Sequence, residues 1–313
     1  MPLGYKYADL FKIALRQLRP KLPNARLEDI LAIHNLNDSF GSIAQFNFAG
    51  HSIDQKDALA VSSWNVNHGL QISQIAAALK ENQILANSDI ILLQEVRRHN
   101  NKGEVSDLPS LLNERLGFNC AYGAEFLEFD KGKLVEVGNM ILSRHELAMT
   151  AAIRLGSFYD WYNDKRGKRL GERMALRSTI KKNGEEIAVY CTHLELLTSP
   201  SYRAKQLHSI FGDASRYGAR PTIIGGDFNF IFEDQKKLNS SLFSANNFDD
   251  PFGNSGKCTM NDFLAKLFAH ALGSRSVLDR ILSRGLIISG TQIHYGITCS
   301  DHYPITAFYS LPK

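Results

Sequence analysis

Cysteine is scarce in this chain: four residues in 313, at positions 120, 191, 258 and 299, with no CxxC spacing and no histidine at zinc-ligand distance along the sequence. That argues against a disulfide framework and against a zinc site, and it points to a reducing, cytoplasmic setting. No apolar run approaches the ~18 residues that a membrane-spanning helix needs, so no transmembrane segment is expected. The opening stretch MPLGYKYADLFKIALRQLRP interleaves its apolar residues with Lys and Arg, and it lacks the continuous apolar core and small-residue cleavage site of a secretory signal. Internal repeats, low-complexity tracts and Pro/Ser-rich linkers are also missing. Neither sign of charge dominates: 36 Lys and Arg face 32 Asp and Glu, a net charge of +4 that is compatible with an anionic ligand without requiring one. Oligomeric state is left open.

What the chain does have is apolar mass. With 44% hydrophobic residues it can bury a large core, enough for one big α/β domain or two small ones. Residues 1–57 read as helical and looped, with an apolar stripe over Tyr5 to Leu18 and a second helix over Leu27 to Ile33. From Ala58 onward strands recur. They are expected at Ala58 to Trp64, Asp89 to Leu93, Phe118 to Phe129, Leu134 to Leu142, Leu147 to Leu155 and Met174 to Lys181. Others follow at Glu186 to Cys191, Pro221 to Ile224, Val277 to Leu282, Leu286 to His294 and Ile305 to Tyr309. Asn183-Gly184 marks a type I′ hairpin. Helices are expected at Ile72 to Ile84, Leu108 to Leu116, Tyr202 to Ser215 and Asn261 to Leu272. About ten strands, mostly hairpin-connected, with helices between some of them, predict a two-sheet α/β sandwich with outer helices. The domain reading is an N-terminal helical extension over 1–57 and one catalytic domain over 58–313.

Six short segments place a carboxylate, carboxamide or imidazole within or just after such apolar runs: Trp64-Asn65, Gln94-Glu95, Thr192-His193, Gly226-Asp227-Phe228-Asn229, Leu278-Asp279-Arg280 and Ser300-Asp301-His302. Six strand ends of this kind imply that polar groups gather at one rim of a buried sheet. Glu95 follows IILL, where a carboxylate is costly unless paired, exposed or bound to metal. Asp227 and Asn229 stand at i, i+2 after two glycines and can turn the same way, although Gly, Asp and Asn also build ordinary turns. Asp279 sits inside an apolar strand, where its partner is either Arg280, a structural pairing, or His302, a catalytic one. His193 leaves its strand at the same kind of edge as Glu95. The histidines at 51, 68, 99, 145, 208, 270 and 294 have no such context. Carboxylates with amides are hard oxygen ligands suited to Mg²⁺ or Mn²⁺, and two histidines supply proton transfer and anion stabilisation. That mixture is what hydrolysis of a phosphate ester requires. A basic run, Lys165, Arg166, Lys168, Arg169 and Arg173, follows the aromatics Phe158, Tyr159, Trp161 and Tyr162; it reads equally as a nucleic-acid contact or a solvated loop.

Taken in order, WN, QE, GNMILS, THL, GDFN, LDRIL and SDH resemble the endonuclease/exonuclease/phosphatase superfamily over roughly Ala58 to Tyr309, nearest to a bacterial branch of unassigned substrate. The resemblance implies a DNase I-like, four-layered α/β sandwich and an Mg²⁺- (or Mn²⁺-) dependent phosphoesterase. It implies that Glu95, Asn65 and Asp301 hold or orient the metal. It gives Asp227 the attacking water, Asn229 and His193 the phosphoryl oxygens, and His302, held by Asp279, an acid/base or charge-stabilising role. Asn139 of GNMILS and Arg173 of GERMALR would contact substrate. Nucleic acid is the favoured substrate, with a phosphoinositide phosphatase or a sphingomyelinase-like lipid phosphodiesterase as the alternative. A catalytically inactive binding protein on the same scaffold should lack one or more of Glu95, Asp227, Asp301 and His302, and all four are present. Asn67 departs from the Asp common in AP endonucleases, and the tryptophan motifs of the 5-phosphatases are absent.

Overall fold

Strands of three to twelve residues, many apolar on both faces, need cover on both sides, and the chain supplies it in four layers. The structure, a computed structural model, describes residues 43–47, 58–99, 112, 116–130, 133–159, 161, 169–230, 240–253, 257–261 and 277–311. In chain order the strands are β1 (Ile43–Phe46), β2 (Ala58–Asn65), β3 (Ile90–His99), β4 (Asn119–Asp130), β5 (Lys133–Ser143), β6 (Ala148–Gly156) and β7 (Arg169–Gly171). After these come β8 (Arg173–Lys182), β9 (Glu185–His193), β10 (Thr222–Asp227), β11 (Asp279–Arg284), β12 (Ile287–Ile293) and β13 (Ile305–Ser310). The helices are α1 (Ile72–Glu81), α2 (Gln83–Ala86) and α3 (Pro200–Ser215), with a short 3₁₀ turn at Asn67–Gly69.

Eight strands form one sheet, ordered β1-β4-β5-β3-β2-β13-β12 with β7 paired to β4; five form the other, ordered β11-β10-β9-β8-β6. The run IILL of β3 shows why two faces are covered. Ile90 and Leu92 point into the core between the sheets, with Leu176, Val189, Ile223 and Ile281 of the second sheet. Ile91 and Leu93 point outward, under Ile75 and Leu79 of α1. On the far side, Leu207, Ile210 and Phe211 of α3 pack on Ala188, Tyr190 and Ile224. At roughly 1.5–3 kcal/mol for each fully buried large aliphatic or aromatic side chain, these three clusters dominate the stabilisation.

Two pairings are parallel, β2 with β3 and β9 with β10, and the rest are antiparallel. Parallel neighbours need a crossover, and α1–α2 and α3 provide it. This topology positions the site. The parallel strands deliver their C-terminal residues, Asn65 beside Gln94 and Asp227 beside His193, to one end. The antiparallel strand β11 delivers its first residue, Asp279, to the same end, opposite Asp227.

The strands expected from Ala58 onward are all present. The Asn183-Gly184 turn has positive φ at both residues (51° and 87°), as a type I′ hairpin needs. Three details differ from the sequence reading. The single helix expected over Ile72 to Ile84 breaks at Asn82, whose side chain accepts from the Ile84 and Leu85 amides and starts α2. Strand β1 falls inside the segment read as helical and looped, and pairs with β4. Within the basic run, Arg169 lies in the three-residue strand β7, and the last residue, Arg173, opens β8. The helices expected at Tyr5 to Leu18 and Leu27 to Ile33 lie outside the described residues, as do nearly all of those at Leu108 to Leu116 and Asn261 to Leu272.

Candidate active site

Asp227 is the hub. Its backbone is set by Gly226, which has φ 152° and packs so close to β9 that a Cβ there would meet the Thr192 carbonyl oxygen at 1.7 Å. Only glycine allows β10 to run that close and still turn Asp227 into the site. The Asn229 amide donates to Asp227 Oδ1 at 2.9 Å, which leaves Oδ2 facing the cluster. Around Oδ2 stand Asn65 Nδ2 at 3.2 Å, His193 Nε2 at 3.5 Å and His302 Nε2 at 3.7 Å. Asn229, at φ 53°, anchors its own side chain by donating to the Leu194 carbonyl at 2.9 Å.

Glu95 reaches the same place by a different local device. The pairing of β3 with β5 slips between Leu93 and Val96, and Glu95 adopts φ 57°. This bulge breaks the strand alternation and re-aims the side chain. Asn65 Nδ2 donates to Glu95 Oε1 at 3.3 Å, and His193 Nδ1 lies 3.8 Å from the same oxygen. His68 Nε2 lies 3.2 Å from the other, Oε2. Asn65 therefore bridges Glu95 and Asp227, with its own oxygen taken by the Asn67 amide at 3.0 Å.

His302 Nδ1 and Asp279 Oδ2 are 2.8 Å apart, and both side chains are buried. Of the two partners open to Asp279, His302 is the one it takes; Arg280 pairs with Asp250 instead. Ser300 Oγ donates to the Asn65 carbonyl at 2.7 Å and lies 3.2 Å from Asp301 Oδ1, which ties the loop carrying Asp301 and His302 to β2.

The charges polarise one another. Burial works against the His302 cation, but Asp279, Asp227 and Asp301 outweigh it and hold the ring's pKa well above the ordinary histidine value. Burial, with Arg173 and His302, pushes His193 well below it, so that ring is neutral. Burial raises Asp227 to about 6, against the pull of His302 and with the push of Asp279. Burial also raises Asp301, with Glu95 adding repulsion. For Glu95, burial is outweighed by His68, Arg173 and Asn65, and its pKa lies below the usual carboxylate value.

Asn65, Glu95, His193, Asp227, Asn229, Asp279, Asp301 and His302 thus converge. Asn139 and Arg173 stand one layer behind. Asn139 donates to Glu125 Oε1 and the Met174 carbonyl, each at 3.0 Å. Arg173 Nη1 donates to Glu125 Oε2 at 3.1 Å, and its charge acts on Glu95 and His193 from there. Lys165, Arg166, Lys168 and Tyr162 lie outside the described residues. Arg169 pairs with Glu128 at 2.6 Å and lies over the Trp161 ring. Sequence reasoning missed His68, because a lone histidine after a strand carries no signal until the Asn67–Gly69 turn brings it to Glu95. It also missed Glu195, which is fully buried and accepts from Ser157 Oγ and Trp161 Nε1 at 2.9 and 3.1 Å. Its place two residues after His193 was the only available hint. His145, also without such context in the sequence, pairs at 2.9 Å with Asp89, which precedes β3, while Glu95 lies further along that strand.

Residues 62–302 match the Endonuclease/Exonuclease/phosphatase family, and this chain belongs to it. Solved structures share the fold at low identity. An endonuclease/exonuclease/phosphatase from Beutenbergia cavernae is 18% identical, with 81% of this chain and 72% of that chain covered and a TM-score of 0.61. The catalytic domain of human Nocturnin with bound sulfate is 18% identical, over 87% of this chain and 97% of that one, with a TM-score of 0.59. D. rerio TDP2 complexed with a single-strand DNA product is 18% identical, over 82% and 100%, with a TM-score of 0.55. No curated protein matches the sequence. The chain is a DNase I-like α/β sandwich of a family of phosphoester hydrolases. Among the described residues no helix is long and apolar enough to cross a membrane.

Proposed function

We propose that this protein is a divalent-metal-dependent phosphoesterase that hydrolyses a phosphate ester by in-line attack of water, with nucleic acid as its substrate class. The observation that carries the reading is the surround of Asp227 Oδ2: one amide and two imidazoles within 3.7 Å, one of those imidazoles locked to Asp279.

The donor set fits Mg²⁺ or Mn²⁺. Asp227 and Asp301 are both raised because burial and neighbouring carboxylates leave negative charge unneutralised, and a divalent cation is the complement to that charge. Glu95, with Asn65 and Asp301, would hold the ion. Asp227, Asp279 and His302 also offer atoms within 4.8 Å of one another. There, however, His302 Nδ1 and Asp279 Oδ2 are committed to each other, so that group reads as an acid/base unit. When bound, the metal supplies Lewis-acid stabilisation of charge on a phosphoryl oxygen.

The chain's own residues divide the remaining work. Asp227 Oδ2 takes the proton of the attacking water, since a carboxylate with a pKa near 6 is a competent base at neutral pH. His193, held neutral, donates a hydrogen bond to a phosphoryl oxygen, and Asn229 lies beside it. His302, held cationic by Asp279, stabilises the phosphoryl charge and gives its Nε2 proton to the leaving oxygen as the P–O bond breaks. Arg173, fixed by Glu125, keeps Glu95 ionised, and Asn139 steadies Glu125. Nucleic acid is supported by the basic residues Lys165, Arg166 and Lys168 and by the exposed Phe158 just before them; Trp161, Arg169 and Arg173 of the same stretch are held by Glu195, Glu128 and Glu125 instead. The four cysteines are free, in keeping with a cytoplasmic location.

The test is a hydrolysis panel with Mg²⁺ on single- and double-stranded DNA, abasic DNA, RNA, a phosphoinositide, sphingomyelin and bis-p-nitrophenyl phosphate. Nucleic acid should be the best substrate, and chelator should abolish turnover. Preference for a phosphoinositide or sphingomyelin would move the protein to the lipid branch of the family.

A further inference from the structure

The Asp279–His302 pair crosses between the two sheets. Asp279 opens β11, the edge strand of the five-stranded sheet, while His302 leads into β13 of the eight-stranded one. A 2.8 Å bond between separate sheets needs something to fix their relative position at that point. A short segment after Lys257, ending at Asn261, where the sequence predicts only the start of a helix, does this.

Thr259 is fully buried, and its Oγ1 accepts from two consecutive backbone amides, Leu278 at 3.1 Å and Asp279 at 3.2 Å. Its carbonyl oxygen accepts from the Tyr303 amide at 2.7 Å. One residue therefore grips the backbone at Asp279 with its hydroxyl and the backbone beside His302 with its carbonyl. The following residues extend the grip on the His302 side. Met260 forms a bridge with His302, the Asn261 amide donates to the Asp301 carbonyl at 2.6 Å, and Asn261 Nδ2 donates to the carbonyls of Thr298 and Ser300 at 3.2 and 2.9 Å. The Leu278 carbonyl in turn accepts from the Phe228 amide at 2.9 Å, so the same strut reaches the turn after Asp227.

We infer that Thr259 is a positioning residue for the Asp279–His302 pair: its hydroxyl and carbonyl set the spacing of the two backbones, and so the geometry of the acid/base unit. Its hydroxyl and carbonyl are both taken by backbone amides, so it acts through the pair and not on the reacting atoms. The inference rests on the phosphoesterase reading for its kinetic consequence, but not for its structural one.

Thr259→Val keeps the shape of the side chain and removes the acceptor, while Thr259→Ser keeps the acceptor. Displacement of a reacting group by ~1 Å costs on the order of 100-fold in rate, so Thr259→Val should lower kcat on bis-p-nitrophenyl phosphate by roughly 10- to 100-fold, with KM changed less than about 2-fold. Thr259→Ser should restore most of kcat. A purely structural role would lower Tm without that split between kcat and KM.

A second readout is independent of turnover. The Nδ1 proton shared with Asp279 should give a low-field proton NMR resonance, identified by its loss in His302→Ala. Thr259→Val should shift or broaden it, and Thr259→Ser should preserve it. If Thr259→Val does not fold, Asn261→Ala, which loses the bonds to Thr298 and Ser300, should displace the same resonance to a smaller degree. Retention of the wild-type kcat and an unmoved resonance in Thr259→Val, or an unmoved resonance in Asn261→Ala when only that variant folds, overturns the inference. Wild-type turnover in His302→Ala would instead sink the phosphoesterase reading, and the resonance would still report on Thr259.

Discussion

Asp279 opens a strand of one sheet and His302 lies in the loop that leads into a strand of the other, yet their side chains meet at 2.8 Å with no appreciable solvent access to either. Asp279 fixes the ring through Nδ1 and leaves Nε2 turned toward Asp227, 3.7 Å away. The carboxylate both orients the imidazole and holds it charged. Asp279→Asn keeps the size and removes the charge. It should lower kcat by roughly 100- to 10,000-fold, the usual worth of a positioned acid or base, with far-UV circular dichroism unchanged. A loss of under tenfold would mean that His302 does not need its partner.

His302→Ala and Asp227→Asn should each remove nearly all turnover in folded protein. Their effects should not add, since the two groups serve one displacement, Asp227 on the attacking water and His302 on the leaving oxygen. Multiplicative losses in the double variant would show the two groups working independently.

Gly226→Ala tests the backbone logic. The added methyl would meet the Thr192 carbonyl at 1.7 Å from a φ of 152°. The variant should lose more than about 3 kcal/mol in urea unfolding or fail to fold. A loss below about 1 kcal/mol would show that β9 and β10 can separate more easily than their packing implies.

Much of this was legible in advance, for a physical reason. Runs such as IILL and TIIGG have to be buried on both faces, so their strand character and the polar residues at their ends stand out together. Glu95 was visible because a carboxylate after IILL is expensive; the bulge that re-aims it was not, since no residue type encodes φ 57° at a glutamate. His68 and Glu195 gain their roles from turns and from contacts distant in sequence. Strands β1 and β7 are too short, at four and three residues, for alternation to register. The break at Asn82 is a capping choice that an apolar stripe running through it conceals.

Stability should depend on pH through His294. Burial pushes its pKa down to about 4, and its Nε2 lies 2.8 Å from Thr306 Oγ1. The unfolded chain, with an ordinary histidine near 6.5, therefore binds the proton first. Stability from this group is full above about pH 6.5 and falls as the pH drops toward 4, at no more than about 1.4 kcal/mol per pH unit. His294→Gln should flatten that part of the urea-midpoint profile. An identical slope in wild type and variant would assign the pH dependence to other groups.

Neutralising Lys165, Arg166 and Lys168 together should raise KM for an oligonucleotide. It should also reduce the salt dependence of binding, by about one unit of log–log slope for each phosphate that the protein no longer neutralises. Arg169 is left in place because it holds Glu128. An unaltered KM and slope would make this stretch a solvated turn.

The most direct test is the Mg²⁺-dependent hydrolysis panel on the purified protein, run beside Glu95→Ala. The account predicts turnover of nucleic acid that disappears both in chelator and in the variant. Turnover that survives chelator or the loss of Glu95, or a folded, Mg²⁺-binding protein that hydrolyses nothing in the panel, would contradict it.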